Sequence, residues 1–450
     1  MATGPRHVLI TQWQMCQFSG SEMVTLELAE HFAGRGARVT VVVHQHGGPI
    51  VEMLRAAGDV ELWSSRDPGL DDHLRTDPPD LAWIHHQIVP DALLSGELDV
   101  PTVFNHMSPY QPLEQVLVPD VERSLATVSV FNSPECFEAQ RDSGVLDGFD
   151  ADRLRVFANP APDAMAGVVP RERGDGPLRL LVVSNHLPDE LVKALAALPP
   201  HVEVARIGAQ RDRGAVPRRV DPELLSGHDA VLSIGKSVQY ALVAGLPVYC
   251  YDRFGGPGWL DPDNVATARH HNFSGRGFGR KAPEDIAREL VDGFERATAD
   301  AGVLRAEQVE GLLLGPALDE LWELCLARPR PARAIDGTAR AAHRSVTALG
   351  REWAILQARS RKAAAAAAAV PGLREEIARA AAATVAAEDA AARDRQKIRK
   401  LRRRAQKAEA QVRRLEDLRG RRLVRGAERL VHVVDRAAGR PRRGRGAEDG

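Results

Sequence analysis

Along the first 165 residues, short strand-like runs alternate with amphipathic stretches. HVLIT (7–11), ARVTVVV (37–43), LAWIHHQI (81–88), TVFNHM (102–107) and TVSVFNS (127–133) read as strands. Their near-continuous apolar character is that of strands buried on both faces. Between the first two, Val24, Leu28 and Phe32 recur every fourth residue and predict a helix to about Phe32, with Ser21 as its N-cap. RVFANPAPDA (155–164) closes the region, and the polar, Gly- and Pro-rich VPRERGDGP (169–177) reads as a linker. The pattern then restarts. LRLLVVSNH (178–186), VEVARIG (202–208), DAVLSIG (229–235) and LPVYCYD (246–252) are strands, with helices at DELVKALAAL (189–198) and KSVQYALVAG (236–245). PEDIARELVDGFERA (283–297) and AEQVEGLLLGPALDELWELCLA (306–327) are closing helices. Strands alternating with helices predict parallel sheets covered on both faces, and the restart predicts two such domains, at 1–168 and 169–330.

After Arg328 the pattern changes. RPRPARAIDGTA (328–339) is a break, and a helix through Trp353 is expected to end near the alanine run 363–369 and Pro371. From Leu373 to Leu415 a 4-3 apolar spacing runs through Ile377, Ala380, Ala387, Asp394, Ile398, Leu401 and Val412. It predicts either a self-associating coiled coil, a rod of roughly 65 Å, or a single charged helix. The terminal RPRRGRGAEDG reads as disordered.

Charge sharpens this division. The net charge of −1 combines an acidic body, with 30 Lys+Arg and 47 Asp+Glu over residues 1–330, and a basic tail, with 30 and 14 over 331–450. Such a split suggests a tail that meets something anionic, or the acidic body itself. RGRRLVRGAERLVHVVDRAAGR (419–440) interleaves Leu423, Val424, Leu430, Val431, Val433 and Val434 with arginines, a pattern suited to an anionic membrane surface. Homodimer contact is the alternative, and nucleic acid is disfavoured because no reading motif or aromatic platform accompanies the charge. Cys16, Cys136, Cys250 and Cys325 show no CxxC spacing, so neither a disulfide framework nor a zinc site is expected. With no leader pattern and no long apolar run, the expected location is cytoplasmic, with peripheral attachment to the inner membrane face as a further expectation.

Ligands of parallel sheets sit at the carboxyl ends of the strands, so the loops there carry the candidate chemistry. FSGSEM (18–23) places Gly20 and Ser21 where a helix N-terminus could meet a phosphate. SIGKSVQYALVAGLPV (233–248) offers Gly235, Lys236 and Ser237 at another helix start, a set that could hold a diphosphate without a metal. It is not a Walker A loop. YDRFGGPGWL (251–260) brings Gly255 and Gly256, whose missing side chains permit close approach of the backbone. HHNFSGRGFGRK (270–281) presents Arg276 between two glycines, suited to phosphate oxygens. The competing reading of each is structural: a helix cap, a turn or a solvated cation. His44, His46, His85, His86 and His106 gather near strand ends. Zinc is disfavoured there because no carboxylate or cysteine shares the spacing. His106 and His86 are the candidate catalytic histidines.

SGSEMVTLELAEHFAGRGARVTVVV, FANPAP and QYALVAGLPVYCYDRFGG together resemble the GT-B glycosyltransferases of the family 4 type over residues 7–327. YDRFGGPGWL and NFSGRGF are similar to a bacterial subgroup acting in cell-surface polysaccharide synthesis. The resemblance implies an α/β fold of two Rossmann-like domains facing a cleft, acceptor side first and nucleotide-sugar side second, plus the C-terminal helical or coiled-coil extension. It implies transfer of a sugar from a nucleotide-sugar donor to an acceptor hydroxyl on a glycan, a lipid-linked carrier or another molecule, with no metal and no cofactor. Gly20 matches the first-domain loop, His106 the histidine facing the sugar, and Gly255 and Gly256 the donor-side loop. The chain departs from the family where two glutamates eight positions apart are expected: Leu232 and Tyr240 stand there. Tyr240 is thereby placed on the donor side, and the departure keeps a sugar-nucleotide epimerase or an inactive binding subunit as the alternative.

Overall fold

The apolar runs of the first region fold as parallel strands because their branched side chains are covered on both faces. In the computed structural model, which describes residues 4–172, 174–210, 213–329, 331, 334–386 and 396–418, these strands are β1 (His7–Met15), β2 (Arg38–His46), β3 (Val60–Ser64), β4 (Leu81–His85), β5 (Thr102–His106), β6 (Val128–Phe131) and β7 (Leu154–Val156). They form one parallel sheet in the order β3-β2-β1-β4-β5-β6-β7. The second region supplies β8 (Leu178–Val183), β9 (Val202–Ile207), β10 (Ala230–Ser233), β11 (Val248–Asp252) and β12 (Gly255–Trp259), in the order β12-β11-β10-β8-β9. Only β12 among these runs antiparallel to its neighbour. The α/β class and its two Rossmann-like sheets are as the alternation predicted.

Each sheet has one point where consecutive crossovers leave in opposite directions: between β1 and β4 in the first, and between β8 and β10 in the second. The crevice beyond the carboxyl ends at such a point is the standard ligand position of open α/β sheets.

Several elements differ from the expectation. β1 continues to Met15, and β3 and β7 were not foreseen. Both are short and only partly buried, so their hydrophobic signal is weak. Gly255–Trp259, read as a loop, is an edge strand; Pro257 is tolerated there because an edge needs fewer ladder hydrogen bonds. Ser19 rather than Ser21 caps the first helix, which begins at Gly20. The helix expected over 283–297 is divided at Gly293 into Pro283–Asp292 and Phe294–Gln308.

The helix Leu314–Ala327 leaves the second lobe and returns to the first. Leu314, Leu318, Leu321 and Cys325 are buried in one core with Val8, Val24, Leu28 and Phe32. The second lobe has its own core, where Val231, Val238, Val243 and Val248 pack with Ile207 and Leu304. The returning helix therefore clasps the lobes together.

The chain divides into two compact units, Met1–Asp336 and Gly337–Gly450, and the second is helical where described. Gly337–Ala386 is one helix with Pro371 inside it, so Pro371 does not end the helix as expected. A mid-helix proline costs about 3 kcal/mol, which the high helix propensity of the preceding alanine run offsets. Residues 396–418 are also helical. Arg374 Nη2 lies 3.0 Å from a Glu409 carboxylate oxygen. A straight helix would hold residues so spaced in sequence about 50 Å apart. The two described helical stretches meet at this pair, so residues 373–415 are not the one straight rod expected. The 419–440 stretch, the terminal RPRRGRGAEDG, and seam positions Ala387 and Asp394 lie outside the described residues. No described helix is long and apolar enough to cross a membrane.

Leu318 is buried in the first-lobe core. Leu318→Ala should lower unfolding free energy by about 3 kcal/mol, measured by urea denaturation, even though Leu318 follows the second lobe in sequence.

Candidate active site

The two crossover reversals face each other. At the end of β8, Asn185 donates through Nδ2 to the Phe18 carbonyl in the loop after β1, at 3.1 Å. Its Oδ1 accepts from the Ala209 amide within its own lobe. One side chain thus ties the carboxyl-end edges of the two sheets together.

A buried polar hub lies beside this contact. Lys236, the first residue of the helix Lys236–Ala244, places Nζ 2.7 Å from Glu27 Oε2 on the first-lobe helix Gly20–Gly34. It also donates to the carbonyls of Asn159 and Pro160, at 2.9 and 2.8 Å. Tyr240, one turn along, donates its hydroxyl to Glu27 Oε1. Burial raises the Glu27 carboxyl pKa and lowers that of Lys236, and the attraction between them opposes both shifts. Burial also drives the Tyr240 phenol well above its ordinary value, and nearby Glu27 adds to the shift. Arg219 adds a two-pronged pair to Glu30 on the same first-lobe helix, at 2.6 Å each.

The hub continues into the first sheet. His85 Nε2 accepts from Trp83 Nε1 at 2.7 Å and lies 3.1 Å from Asn105 Nδ2. Its Nδ1 meets Thr25 Oγ1 at 3.2 Å. Burial lowers the His85 pKa to about 3, so the ring is neutral, with its proton on Nδ1 toward Thr25.

The two candidate catalytic histidines are joined by Glu114, which the sequence reading did not single out. His86 Nε2 is 2.8 Å from Glu114 Oε1. Glu114 Oε2 accepts from the Met107 amide, and its carbonyl meets His106 Nδ1 at 2.9 Å. Burial raises the Glu114 pKa, but His86 and the Met107 amide outweigh it and the net shift is downward, so the group is a carboxylate. His86 and Gln87 have φ of 54° and 57°, left-handed conformations that cost side-chain-bearing residues energy and cluster at functional sites. No described group hydrogen-bonds His86 Nδ1, which is buried beside Trp13.

His106 is differently placed. Its second nitrogen, Nε2, lies 2.9 Å from Glu122 Oε1, which also accepts from Ser129. Burial pulls the His106 pKa down, but Glu122 outweighs it and the net shift is upward. With both nitrogens engaged and the ring stacked on Phe131, His106 presents no nitrogen to a sugar. It buttresses Glu114 instead.

The remaining predicted residues spread along the seam. Gly20 begins its helix with open space around its Cα, and Ser21 follows it. The amides of Cys16 and Gln17 in that loop are taken by Glu22 Oε2, at 2.6 Å each, an internal carboxylate where a phosphate was expected. Gly235 caps its helix at φ 59°, and its amide donates to the Phe273 carbonyl; Ser237 is the second residue of that helix. Gly255 and Gly256 serve chain packing. A Cβ on Gly256 would stand 2.1 Å from the Cys250 carbonyl oxygen, and one on Gly255 2.3 Å from that of Gly279. Arg276 clamps Glu135 of the first lobe, with Nε 2.8 and 2.9 Å from its oxygens. Lys236 and Arg276 therefore both reach the seam, yet each grips a first-lobe carboxylate rather than open space. In this conformation neither is free for a diphosphate.

No family model matches the chain, and no curated protein sequence matches it. Solved structures do. Alr3699/HepE of Anabaena, in complex with UDP and glucose, aligns with a TM-score of 0.50 at 15% identity over 71% of this chain and 99% of that one. A glycosyltransferase from Rickettsia africae ESF-5 aligns at 0.48 and 13%, over 72% and 99%. The glycotransferase of kitacinnamycin aligns at 0.45 and 18%, over 72% and 100%. At such identity a likeness establishes architecture: with the HepE match, the facing sheets and the returning helix, the fold is GT-B.

Two outcomes follow. Lys236→Met leaves Glu27 buried without its counter-charge and should cost about 3–5 kcal/mol, while adding Glu27→Gln should recover much of it, read by urea denaturation. The unfolded state protonates His85 near pH 6.5 and the folded state only near 3, so its contribution is intact above about pH 6.5 and lost as pH falls toward 3. Unfolding free energies at pH 7 and pH 4 should therefore differ less in His85→Gln than in the parent.

Proposed function

We propose that the protein is a glycosyltransferase that moves a sugar from a nucleotide-sugar donor to an acceptor hydroxyl. The observation that carries this reading is the meeting of two crossover reversals across one seam, at Asn185 and Phe18. Such an arrangement can hold a nucleotide on one sheet edge and an acceptor on the other. UDP is the first nucleotide to test, since the HepE structure holds UDP and glucose.

In this reading the lobes part to admit the donor. Glu27 and Glu135 then release Lys236 and Arg276, which stabilise the departing diphosphate together with the helix starts at Gly20 and Gly235. His86 is the base. With its Nε2 proton donated to Glu114, the Nδ1 lone pair accepts the acceptor's hydroxyl proton as that oxygen attacks the anomeric carbon and the nucleoside diphosphate leaves. The resemblance further points to cell-surface polysaccharide or glycoconjugate synthesis, with the basic tail meeting an anionic membrane surface or a second copy.

UDP should raise the melting temperature, and nucleotide sugars should release UDP when an acceptor is supplied. His86→Gln should keep UDP binding and lower kcat by about 10²–10⁴-fold. Absence of any nucleoside-diphosphate binding would sink the transferase, and full activity in His86→Gln would remove His86 from the chemistry. Binding without turnover would favour an inactive binding subunit, a reading that the occupied state of Lys236 and Arg276 supports.

A further inference from the structure

A cavity of about 630 Å³ opens where the lobes are joined. The ends of β6 and β7, the connection at Ala158 and Pro160, the helix Val265–His270 and the returning helix all line it. Phe18, Asn185, Lys236, Tyr240 and Arg276 do not, although Pro160, whose carbonyl accepts from Lys236, does, so the cavity borders the seam without including its cations. Its volume lies in the usual range for small-molecule sites of about 300–1,000 Å³.

Val156, Phe157, Leu321 and Leu324 make part of the lining apolar. Val156 is 48% exposed, a large aliphatic side chain left uncovered beside the opening. The lining also includes the half-buried Arg269 and the exposed Arg155 and Glu320. Arg269 differs from the cations of the seam. Lys236, Arg219 and Arg276 each meet a carboxylate. Among the described residues, the half-buried guanidinium of Arg269 meets only neutral oxygens, Gln308 Oε1 at 2.7 Å and the Gly311 carbonyl at 3.5 Å. Arg155 donates to the carbonyl of its own neighbour Leu154. His270, which also lines the cavity, already faces Glu138 at 3.3 Å. A cation taken partly from water without a counter-charge is costly, and burial lowers the Arg269 pKa, with no described acid opposing it. An anion in the cavity would complete it, and the body of that anion would cover the apolar part of the lining.

We propose that this cavity binds a small amphipathic anion, an apolar body carrying one carboxylate or phosphate. Arg269 holds the charged group, Arg155 supports it from the rim, and Phe157, Leu321 and Leu324 pack against the body. Because both lobes line the cavity, its occupant bears on the hinge between them and is a natural effector of lobe opening.

The test is isothermal titration of the full-length protein with octanoate, octyl phosphate and octanol, each below its micelle concentration. At least one anion should bind, with octanol at least about tenfold weaker, as expected for loss of a charge-assisted contact. Whichever anion binds more tightly identifies the head group. Arg269→Gln should weaken that anion about tenfold or more. Ala317→Trp, which fills the cavity, should abolish its binding while the melting transition stays cooperative. Failure of both anions to bind, equal binding of octanol, or unchanged binding in both variants overturns the proposal. UDP titrated into the same samples keeps the two readings separate: loss of UDP binding counts against the transferase and not against this cavity.

Discussion

The two-lobed body depends on a charge placed out of reach of water. Lys236 and Glu27 stand on different lobes and meet at 2.7 Å inside the protein. Neither could be buried alone, because an isolated ion in the interior loses several kcal/mol of hydration. Each lobe therefore supplies the condition for the other's charge. Tyr240 and the Asn159 and Pro160 carbonyls fill the remaining valences.

The rest of the seam repeats this logic with less burial. Arg219 with Glu30 and Arg276 with Glu135 each pair a second-lobe guanidinium with a first-lobe carboxylate. A diphosphate is a stronger version of the same partner. Under the proposed function, closure and donor binding would draw on the same cations, and an anionic donor would compete with the first-lobe glutamates. The His86–Glu114 pair lies wholly within the first lobe.

Much of the frame was legible in the chain. Apolar runs such as LLVV (180–183) and VTVVV (39–43) are almost wholly buried where they fold, so the parallel sheets followed from pattern alone. The helix starting near Gly20 and the one starting at Lys236 were placed within a residue or two, because glycine, serine and the apolar stripe act locally. The site was less legible. Glu27 lies between Val24 and Leu28 on a buried stripe, a signal that was present but easily read as a solvated face. Glu114 sits in a three-residue 3-10 segment with no periodicity to mark it. Gly255 and Gly256 looked like a ligand loop, since a glycine needed for chain-on-chain packing and one needed for a ligand are the same residue in sequence.

The sequence by itself determined the α/β class, the two-fold repetition of strand and helix, and the position of the basic tail, since these rest on local propensity and burial pattern. Tertiary structure alone decided the partners of the charges. Glu27 and Lys236 are more than two hundred residues apart, and only the closing of one lobe on the other makes a buried pair of them. The same holds for the returning helix Leu314–Ala327 and for the two described tail stretches that meet at Arg374 and Glu409. An apolar stripe or a charge states that a side chain wants a partner; only the folded chain decides which one comes within reach.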